Sequence, residues 1–348
     1  MQIIANANLK PYHTFGIFQF CDFLVEANSI NDIKAIYQNS AWSKLPKLML
    51  GKGSNILFTD TFHGVVIINN LVGKSVTESD THWHLHIAGG EDWPSLVEWS
   101  VNQGYFGLEN LALIPGCAGS APIQNIGAYG VELRNVCEYV DILCLDTFEE
   151  KRLTVSECQF GYRDSIFKRE LHQKAIITAI GLVLPKSWRA KVEYGPLKDL
   201  SSDTATAKQV FERVCSIRME KLPDPTITGN AGSFFKNPVI SHQHYEQLKQ
   251  KYPNIVAYSV DDGMKVAAGW LIDQCNLKGT MVGGAQVHPN QALVLVNRNN
   301  AEAEDVVKLA AKVRNEVFHR YNIELEHEVR FMGSKEETSL SAIIGKAF

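Results

Sequence analysis

The chain has 348 residues, with 34 basic and 38 acidic side chains and a formal net charge of −4. A chain of this length exceeds the usual size of one hydrophobic core, so two or three domains are expected. Proteins that bind nucleic acids or anionic membranes usually carry an excess of basic residues, which is absent here. With 45% hydrophobic and 21% charged residues, the composition is typical of a globular enzyme. We therefore expect no nucleic-acid partner and no membrane insertion.

The cysteines and the N-terminus bear on the cellular compartment. Seven cysteines are scattered without a CxxC pair, and most lie in apolar runs such as 141–145. This pattern favours reduced thiols in a cytosolic protein over disulfides or a metal site. The first 15 residues lack the basic and apolar segments of a signal peptide. The longest apolar run, 175–185, is about half of the roughly 20 residues that span a membrane. We expect a cytoplasmic monomer with no bound metal.

The first 70 residues combine short strands with one helix. Mostly apolar runs at 22–27, 48–50 and 64–68 predict strands. Ser29 precedes a helical pattern and Asp32 follows three residues later, as in a capping box, so a helix is expected to begin after Ser29. This order of elements indicates an α/β segment.

The middle of the chain is predicted to be rich in strands, and the last third to be more helical. The alternating run 82–87 and the apolar run 174–184 predict strands, with a helix at 94–102 between them. Residues 104–131 show no periodicity and many small side chains, and a loop of that length inside a domain is usually functional. In the last third we predict helices at 241–251, 264–275 and 302–321, and strands at 292–296 and 323–331.

Two glycine-containing loops are candidates for binding a cofactor. The segment 51–55 (GKGSN) directly follows a predicted strand, and the segment 114–130 contains four glycines and few charges. Glycine permits positive φ and close backbone approach, so successive N–H groups can point at a pyrophosphate. Neither the GxGxxG nor the Walker A pattern is matched, because Ile56 and Ile68 occupy glycine positions. Both segments could also be ordinary tight turns.

The predicted strand at 323–331 carries a row of charges. Its period of two places Glu324, Glu326, Glu328 and Arg330 on one face. Such a row is either a solvated edge or, where one end meets a cleft, the source of a catalytic carboxyl.

Other reactive side chains are ambiguous on local sequence alone. Ser233 lies between a small-residue turn and two phenylalanines, without the GxSxG of a hydrolase, so it is either a turn residue or a functional hydroxyl. His82, His84 and His86 share a strand face, but no carboxylate or cysteine ligand lies nearby in the sequence, which favours an exposed strand over a metal site.

Several segments, taken in chain order, resemble the UDP-N-acetylenolpyruvoylglucosamine reductase family. They are 50–58 (LGKGSNILF), 107–116 (GLENLALIPG), 122–130 (PIQNIGAYG), 162–165 (YRDS), 229–238 (GNAGSFFKNP), 267–273 (AAGWLID) and 328–331 (EVRF). Their number and order across essentially the whole chain make the resemblance highly specific. The sequence departs from the family at His13, where Asn is usual, and at His327, where Pro is usual.

The resemblance implies an α+β architecture. The expected fold is the FAD-binding fold of the vanillyl-alcohol oxidase and p-cresol methylhydroxylase type, built in two parts, followed by a third, α/β substrate-binding domain. We expect the first FAD-binding part at 1–71, with the C-terminal strand 323–348 returning to it. The second part is expected at 72–219 and the substrate-binding domain at 220–322.

The resemblance also implies noncovalent FAD as cofactor and NADPH as co-substrate. The expected FAD contacts are Gly51, Gly53, Ser54, Asn55, Ile114, Pro115, Gly116, Ser120, Gln124, Asn125, Gly127 and Arg330. The expected contacts with the sugar nucleotide are Tyr129, Tyr194, Arg218, Lys221, Asn237, Tyr258, Lys278 and Gln291. Tyr194 resembles the mobile substrate tyrosine of the longer (type I) family form.

The implied reaction converts UDP-N-acetylglucosamine enolpyruvate to UDP-N-acetylmuramate, a precursor of bacterial peptidoglycan. Hydride is delivered from N5 of reduced FAD to the enolpyruvyl methylene, which leaves negative charge beside the substrate carboxylate. By resemblance, Arg163 and Glu328 stabilise this charge and Ser233 donates a proton to the carbanion. Glu328 can help only when protonated, so we expect burial to raise its pKa.

Two alternatives remain open from the sequence. One is a flavin oxidase of the same fold, which would use O₂ and an alcohol. The other is a noncatalytic flavoprotein that binds nucleotide sugars. The presence of Arg163, Ser233 and Glu328 argues against the latter, because binding alone needs no proton donor.

Overall fold

The computed structural model describes residues 2–345, which group into two compact units. The first unit contains residues 2–5, 23–52 and 64–220, and the second contains residues 6–22, 53–63 and 221–345. Each unit therefore combines segments that are distant in the sequence. The predicted three-part division at residues 71, 219 and 322 stays a prediction.

The helices of residues 2–345 are mostly short, and α6 is the longest. They are α1 (Ile30–Gln38), α2 (Trp93–Gln103), α3 (Ala207–Lys221), α4 (His242–Lys251), α5 (Ala268–Gln274), α6 (Ala303–Tyr321) and α7 (Leu340–Ile344). None of the helices in residues 2–345 is long and apolar enough to cross a membrane.

The strands before α3 are β1 (Ile3–Asn8), β2 (Phe20–Ala27), β3 (Lys47–Leu50), β4 (Ile56–Phe58), β5 (Phe62–Asn69), β6 (Lys74–Glu78), β7 (His82–Ala88), β8 (Gly127–Ala128), β9 (Val131–Glu132), β10 (Cys137–Cys144), β11 (Glu150–Thr154) and β12 (Ala175–Pro185). The strands after α3 are β13 (Gly229–Ser233), β14 (Val239–Ile240), β15 (Ala257–Val260), β16 (Gly263–Val266), β17 (Met281–Val282), β18 (Ala285–Val287), β19 (Val294–Asn297), β20 (Arg330–Met332) and β21 (Glu337–Thr338).

Two sheets form the framework of the first unit. Strands β2, β5 and β3 are neighbours in a four-stranded sheet with β1 at its edge, and β3 runs parallel to β5. Helix α1 covers this sheet through Ile33 and Ile36, which belong to the same buried cluster as Val25 and Val65. The second sheet is antiparallel, with the order β11-β10-β12-β7-β6. Helices α2 and α3 share one buried cluster with β7 and β12, so burial of apolar side chains holds them on this sheet.

Three small sheets occur in the second unit. Their strand orders are β13-β19-β18-β17, β14-β16-β15 and β21-β20-β4. Helices α5 and α6 pack on them in one large buried cluster that includes Leu271, Val313, Phe234 and Phe331. Strand β20 runs parallel to β4, with Arg330 opposite Ile56. The C-terminal part of the chain therefore lies beside a strand formed by residues 56–58.

Most of the predicted elements are confirmed, including the start of α1. The Ser29 hydroxyl accepts a hydrogen bond from the backbone N–H of Asp32 at 3.1 Å. The Asp32 carboxylate accepts from the N–H of Asn28, at 3.0 Å, rather than from that of Ser29. The cap was therefore predicted correctly, with its reciprocal bond shifted by one residue.

Two predicted elements are wrong in extent, and one helix was missed. The helix expected at 264–275 begins only at Ala268, because Gly263–Val266 is strand β16, paired with both β14 and β15. The strand expected at 323–331 forms a ladder only at Arg330–Met332, with an isolated bridge between His327 and Phe235. Helix α3 lies in the part that was expected to be rich in strands.

His13, a departure from the family pattern, is buried in the second unit. Its Nε2 lies 3.0 Å from the carbonyl oxygen of Ile17 and therefore carries the proton, since a carbonyl can only accept. The ring packs edge-on against Phe58, with centroids 5.6 Å apart. Burial lowers the pKa of His13 from its usual value, which keeps the imidazole neutral.

We expect His13 to make the folded protein sensitive to acid. Because its folded pKa lies below the unfolded value of about 6.5, the unfolded chain binds the proton more readily. The stabilisation is complete above pH 6.5 and is lost as the pH falls from 6.5 towards the folded pKa. In His13→Asn, the free energy of unfolding measured with urea should therefore fall less between pH 7 and pH 5 than it does in the wild type. The control is His319→Asn on an exposed side chain; an equal reduction in both variants would contradict this assignment.

Candidate active site

The long loop of the first unit packs closely at its glycines. Gly119 donates from its N–H to the carbonyl of Gly89 at 2.7 Å, and a Cβ on Gly119 would lie 2.9 Å from that oxygen. A Cβ on Gly51 would lie 2.5 Å from the sulfur of Cys117. These positions have no room for a side chain, so only glycine permits the close packing seen here.

Two predicted FAD contacts use their side chains to hold the shape of the loop. The Ser120 hydroxyl donates to the carbonyl of Cys117 at 2.8 Å and accepts from its N–H at 3.0 Å. Asn125 is fully buried with φ +44°. Its Nδ2 donates to the carboxylate of Glu132 and to the carbonyl of Gly161, and its Oδ1 accepts from the N–H of Arg134. Ser120 is partly exposed and could still contact FAD, whereas the fully buried Asn125 supports the loop from behind.

Three other predicted FAD contacts precede these two in the loop. Ile114 is partly buried, Pro115 is exposed and Gly116 is buried with φ +139°. The adjacent Gln124 is partly buried. A pyrophosphate approaching this loop would meet a surface with few protruding side chains.

Two tight turns bring Arg163 close to Tyr129. Strands β8 and β9 are joined by Tyr129 and Gly130, with φ values of +47° and +82°; positive φ at both central residues is the condition of a type I′ turn. Arg163 occupies the second tight turn with φ +53°, and its Nη2 donates to the carbonyl of Gly127 at 3.1 Å. Positive φ is uncommon for residues other than glycine and is frequent at functional sites.

The same region holds Arg218 and Tyr194. Burial lowers the pKa of the Arg218 guanidinium; Tyr129 and Cys215 raise it, and the positive charge of Arg163 lowers it. Nε of Arg218 is buried and has no hydrogen-bond partner among residues 2–345. Burial likewise raises the pKa of Tyr129, while Arg218 lowers it and Tyr194 raises it. Two arginines and two tyrosines thus interact in the first unit, a combination suited to an anionic ligand.

The second unit holds the other predicted turn, Gly53–Asn55. Gly53 has φ +59°, and its carbonyl accepts from the N–H of Thr14 at 3.0 Å. Asn55 donates from Nδ2 to the carbonyl of Glu328 at 3.3 Å, and its own carbonyl accepts from the N–H of Arg330 at 3.1 Å. Ser54 lies between them and is partly buried. The turn is therefore attached directly to the segment that carries Glu328.

Ser233 and Glu328 lie on adjacent extended segments of the second unit. Ser233 is the last residue of β13, and the N–H of Glu328 donates to the carbonyl of the next residue, Phe234, at 2.8 Å. The side chain of Ser233 is partly buried, and its hydroxyl makes no hydrogen bond within residues 2–345. The structure thus brings two of the three predicted catalytic residues together in one unit, and Arg163 belongs to the other unit.

Several other predicted residues of the second unit are already engaged. Arg330 donates from Nε and Nη2 to the carboxylate of Glu337, at 3.0 and 2.8 Å. Asn237 accepts at Oδ1 from the N–H of Ala268 at 3.0 Å and so caps α5. Lys278 pairs with Asp273 at 2.9 Å. A ligand that uses these side chains would have to share or replace the existing bonds.

The remaining predicted substrate contacts are accessible. Tyr258, on β15, is 59% exposed and lies opposite Lys265 in the register of β16. Lys221 is exposed at the end of α3, and Gln291 is partly buried, with its carbonyl accepting from the N–H of Val294 at 3.0 Å.

The histidines of β7 pair with neighbouring strand residues. His84 Nδ1 lies 3.0 Å from the Glu138 carboxylate, and His86 Nδ1 lies 2.8 Å from the Tyr139 hydroxyl. Within residues 2–345 there is no group of three or more His, Cys, Asp or Glu residues that could hold a metal ion.

Glu109 and Asn110 were not predicted from the sequence to have a structural or functional role. Both are almost completely buried, although they lie in the quoted segment 107–116. The available signal was the occurrence of two polar residues inside the run LENLALI, where only hydrogen-bonded polar groups are tolerated.

The residues present are suited to FAD. Residues 114–127 contain no acidic side chain that would repel a diphosphate. The Gly53–Asn55 turn has the positive φ that directs backbone N–H groups to one side. These are the features that a large cofactor with two phosphates requires.

Comparisons with known proteins agree with this arrangement. The family model of the C-terminal domain of UDP-N-acetylenolpyruvoylglucosamine reductase matches residues 224–332, and that of an FAD binding domain matches residues 21–146. A UDP-N-acetylenolpyruvoylglucosamine reductase from Vibrio cholerae serotype O1 is 62% identical over 340 residues, which cover 98% of each chain. One from Vibrio parahaemolyticus is 60% identical over 343 residues, which cover 99% of each chain.

A solved structure is also similar. The crystal structure of UDP-N-acetylenolpyruvylglucosamine reductase from Thermus caldophilus superposes with a TM-score of 0.67 at 23% identity, covering 95% of this chain and 98% of that one. Together with the FAD binding domain match, this confirms the predicted α+β fold with an FAD-binding part.

Proposed function

Because this chain belongs to the UDP-N-acetylenolpyruvoylglucosamine reductase family, we propose that it uses NADPH to reduce the enolpyruvyl group of UDP-N-acetylglucosamine enolpyruvate. The protein is an oxidoreductase with an FAD-binding domain that acts in peptidoglycan precursor synthesis. We further propose that the protein acts in the cytoplasm as a monomer.

The observation that carries the proposal is the arginine cluster of the first unit. Arg163 adopts positive φ and donates to the carbonyl of Gly127, and its charge acts on Arg218. A tight turn held in an uncommon conformation is costly, and it persists where function requires it. The cluster suits a substrate that carries both a carboxylate and a diphosphate.

Arg163 would stabilise the negative charge that develops on the substrate. Bound FAD would supply the hydride that is added to the enolpyruvyl methylene. The addition leaves charge on the carbon beside the carboxylate, where an ene-diolate must be stabilised by donors placed in advance. A guanidinium is always protonated and presents donors in a planar fork, so Arg163 needs no proton transfer for this role.

Ser233 would donate the proton that completes the reduction. Its hydroxyl is partly buried and makes no hydrogen bond within the described chain, which leaves the proton available for transfer. A serine hydroxyl is a weak acid, but a carbanion is basic enough to accept its proton.

Glu328 would assist as a protonated acid. Its backbone is held on both sides, by Phe234 through its N–H and by Asn55 through its carbonyl, so the side chain starts from a defined position. A protonated carboxyl can donate a hydrogen bond to the developing negative charge.

For the nucleotide part of the substrate we propose two sets of residues. Tyr129, Tyr194 and Arg218 lie close enough to affect one another's charge. The other proposed polar contacts are Lys221, Asn237, Tyr258, Lys278 and Gln291. For FAD we propose residues 114–127 and the turn Gly53–Asn55.

A purified sample tests the proposed reaction directly. We expect a yellow protein that contains noncovalent FAD and oxidises NADPH only when UDP-N-acetylglucosamine enolpyruvate is present. The matched control is UDP-N-acetylglucosamine, which lacks the reducible double bond and should support no NADPH oxidation. A colourless protein that takes up no flavin on reconstitution would refute the cofactor assignment. NADPH oxidation that needs O₂ but no enolpyruvyl substrate would identify an oxidase instead.

A further inference from the structure

Two consecutive polar side chains are buried in the long loop of the first unit. Glu109 is 2% exposed and Asn110 is 1% exposed. They form a short 3-10 helix with Leu111, and the flanking Leu108 and Ala112 are fully buried. Burying a carboxylate or an amide is unfavourable unless hydrogen bonds within the protein replace those to water. The hydrogen bonds of these two side chains therefore identify the backbone segments that they join.

Asn110 connects two backbone segments. Its Nδ2 donates to the carbonyl of Tyr129 at 2.9 Å and to the carbonyl of Lys191 at 2.8 Å. Both hydrogens of one planar amide are therefore used, and both acceptors belong to the main chain. The amide group sets the distance between the Tyr129 turn and the segment around Lys191.

Glu109 anchors the second of these segments at another point. Its Oε1 accepts from the indole N–H of Trp188 at 2.6 Å, and its Oε2 accepts from the N–H of Gly107 at 2.7 Å. Burial raises the pKa of Glu109, while these hydrogen bonds and the positive charge of Lys191 lower it. The segment from Trp188 to Lys191 is thus hydrogen-bonded to the loop at both ends, through Glu109 at Trp188 and through Asn110 at Lys191.

Tyr194 follows three residues after the hydrogen-bonded segment 188–191. Ala190 and Val192 are 3% and 4% exposed, whereas Tyr194 is 54% exposed. Gly195 has φ +54°, and a Cβ built on it would meet no atom within 4 Å. The chain is therefore anchored at Val192 and again at Leu197, which is fully buried in the 3-10 helix that follows, and the exposed Tyr194 lies between these two points.

Tyr194 also lies against the turn that Asn110 holds. A Cβ built on Gly130 would lie 3.2 Å from Cβ of Tyr194. Gly130 follows Tyr129 in the tight turn, so the carbonyl that accepts from Asn110 is one residue away from this contact. Asn110 therefore determines the position of both tyrosines relative to each other.

We propose that Asn110 is a positioning residue for the nucleotide-sugar substrate, acting through Tyr129 and Tyr194. The inference rests on the proposed function, because it takes these two tyrosines to contact the substrate. Asn110 itself is 1% exposed, and in this proposal it acts through the two backbone segments that its Nδ2 joins. Loss of its two hydrogen bonds would let the two segments move apart, and displacements of about 1 Å in binding groups can cost up to 10²-fold.

The first test is Asn110→Ala, measured with the full-length holoenzyme. We expect the KM for UDP-N-acetylglucosamine enolpyruvate and the dissociation constant of UDP, measured by calorimetry, each to rise about 10- to 100-fold. The kcat should change less than about threefold, because the residues proposed for the chemistry are untouched. The control is Ser100→Ala, an equally buried polar group on α2 that donates to the carbonyl of Tyr105. It should lower stability and leave both constants unchanged.

A double-mutant cycle separates positioning from a general loss of structure. If Asn110 acts through Tyr194, the rise in KM and in the UDP dissociation constant caused by Asn110→Ala should be several-fold smaller when Tyr194 is also replaced by Ala. An equal effect in both backgrounds, or unchanged constants in a folded Asn110→Ala protein, would overturn the inference. If Asn110→Ala does not fold, Asn110→Ser, which keeps one hydrogen-bond donor, is used in its place. We then expect a smaller rise in the KM and in the UDP dissociation constant.

The outcomes also distinguish this inference from the proposed function. If the wild-type enzyme shows no NADPH-linked turnover but binds UDP, and Asn110→Ala weakens that binding, the proposed reaction fails and the positioning role stands. If Tyr194→Ala leaves both constants unchanged, the substrate role of Tyr194 and the inference fail together. If the wild-type enzyme turns over as proposed but the effects of Asn110→Ala and Tyr194→Ala are additive, only the positioning role of Asn110 is refuted.

Discussion

Ser233→Ala is expected to lower turnover by about 10²- to 10⁴-fold, the loss typical of removing a positioned acid. The substitution removes one oxygen from a partly buried side chain that makes no hydrogen bond within residues 2–345. Folding, FAD content and the reduction of the bound flavin by NADPH should therefore be retained. Steady-state kinetics and a stopped-flow measurement of flavin reduction distinguish the two half-reactions.

A second serine provides the matched control. Ser241 caps α4 by accepting from the N–H of His244 at 3.2 Å. Ser241→Ala should reduce the free energy of unfolding by about 1 kcal/mol and leave turnover unchanged. If Ser233→Ala turns over normally, Ser233 is a turn residue and the proton must come from another group.

Gly53→Ala is expected to destabilise the protein by about 2–5 kcal/mol. Gly53 has φ +59°, and an L-residue in this left-handed region costs about 1–2 kcal/mol. An added Cβ would also overlap the carbonyl oxygen of Tyr12 and approach Cα of His13 to 2.5 Å, and overpacking adds about 1–3 kcal/mol. Because the turn is bonded to the Glu328 segment through Asn55, FAD content should fall as well. Urea unfolding and flavin absorbance measure the two effects.

Gly16 separates the two contributions. Its φ is +60°, but a Cβ built on it would meet nothing within 4 Å. Gly16→Ala should therefore cost only the backbone term of about 1–2 kcal/mol and leave FAD content unchanged. Equal destabilisation by the two variants would show that the overlap at Gly53 is relieved by local movement.

Local signals in the sequence predicted many elements because their causes lie within a few residues. Ser29 caps α1 since its hydroxyl meets an N–H only three positions away. Helix α6 follows its apolar period over 19 residues, with buried side chains such as Val306, Val313 and Val317. The alternating burial expected at 323–329 is also present, with Leu325 buried and Glu324 exposed. None of these three features depends on which segment lies beside it.

The pairing of strands and the shape of the candidate site depend on contacts between distant residues. Residues 323–326 alternate in burial but form no β-ladder, although the carbonyl of Glu326 accepts from the N–H of Lys236 at 2.9 Å. Their continuation, β20, pairs with β4, which lies more than 270 positions earlier. An alternation with a period of two shows which side chains share a face of a strand, but it does not identify the strand that pairs with it.

The sequence by itself determined the family, through segments such as 50–58 and 122–130, and with it the three residues proposed for catalysis. Only the tertiary structure decided how these residues are held. The bonds from Arg163 to Gly127 and from Asn110 to Lys191 join positions 36 and 81 residues apart. A buried asparagine has no local pattern that identifies its acceptors, because the acceptors are backbone carbonyls common to every residue. Only the folding of the whole unit brings particular carbonyls within hydrogen-bonding distance of Asn110. These are the carbonyls of Tyr129 and of Lys191, which lies three residues before Tyr194.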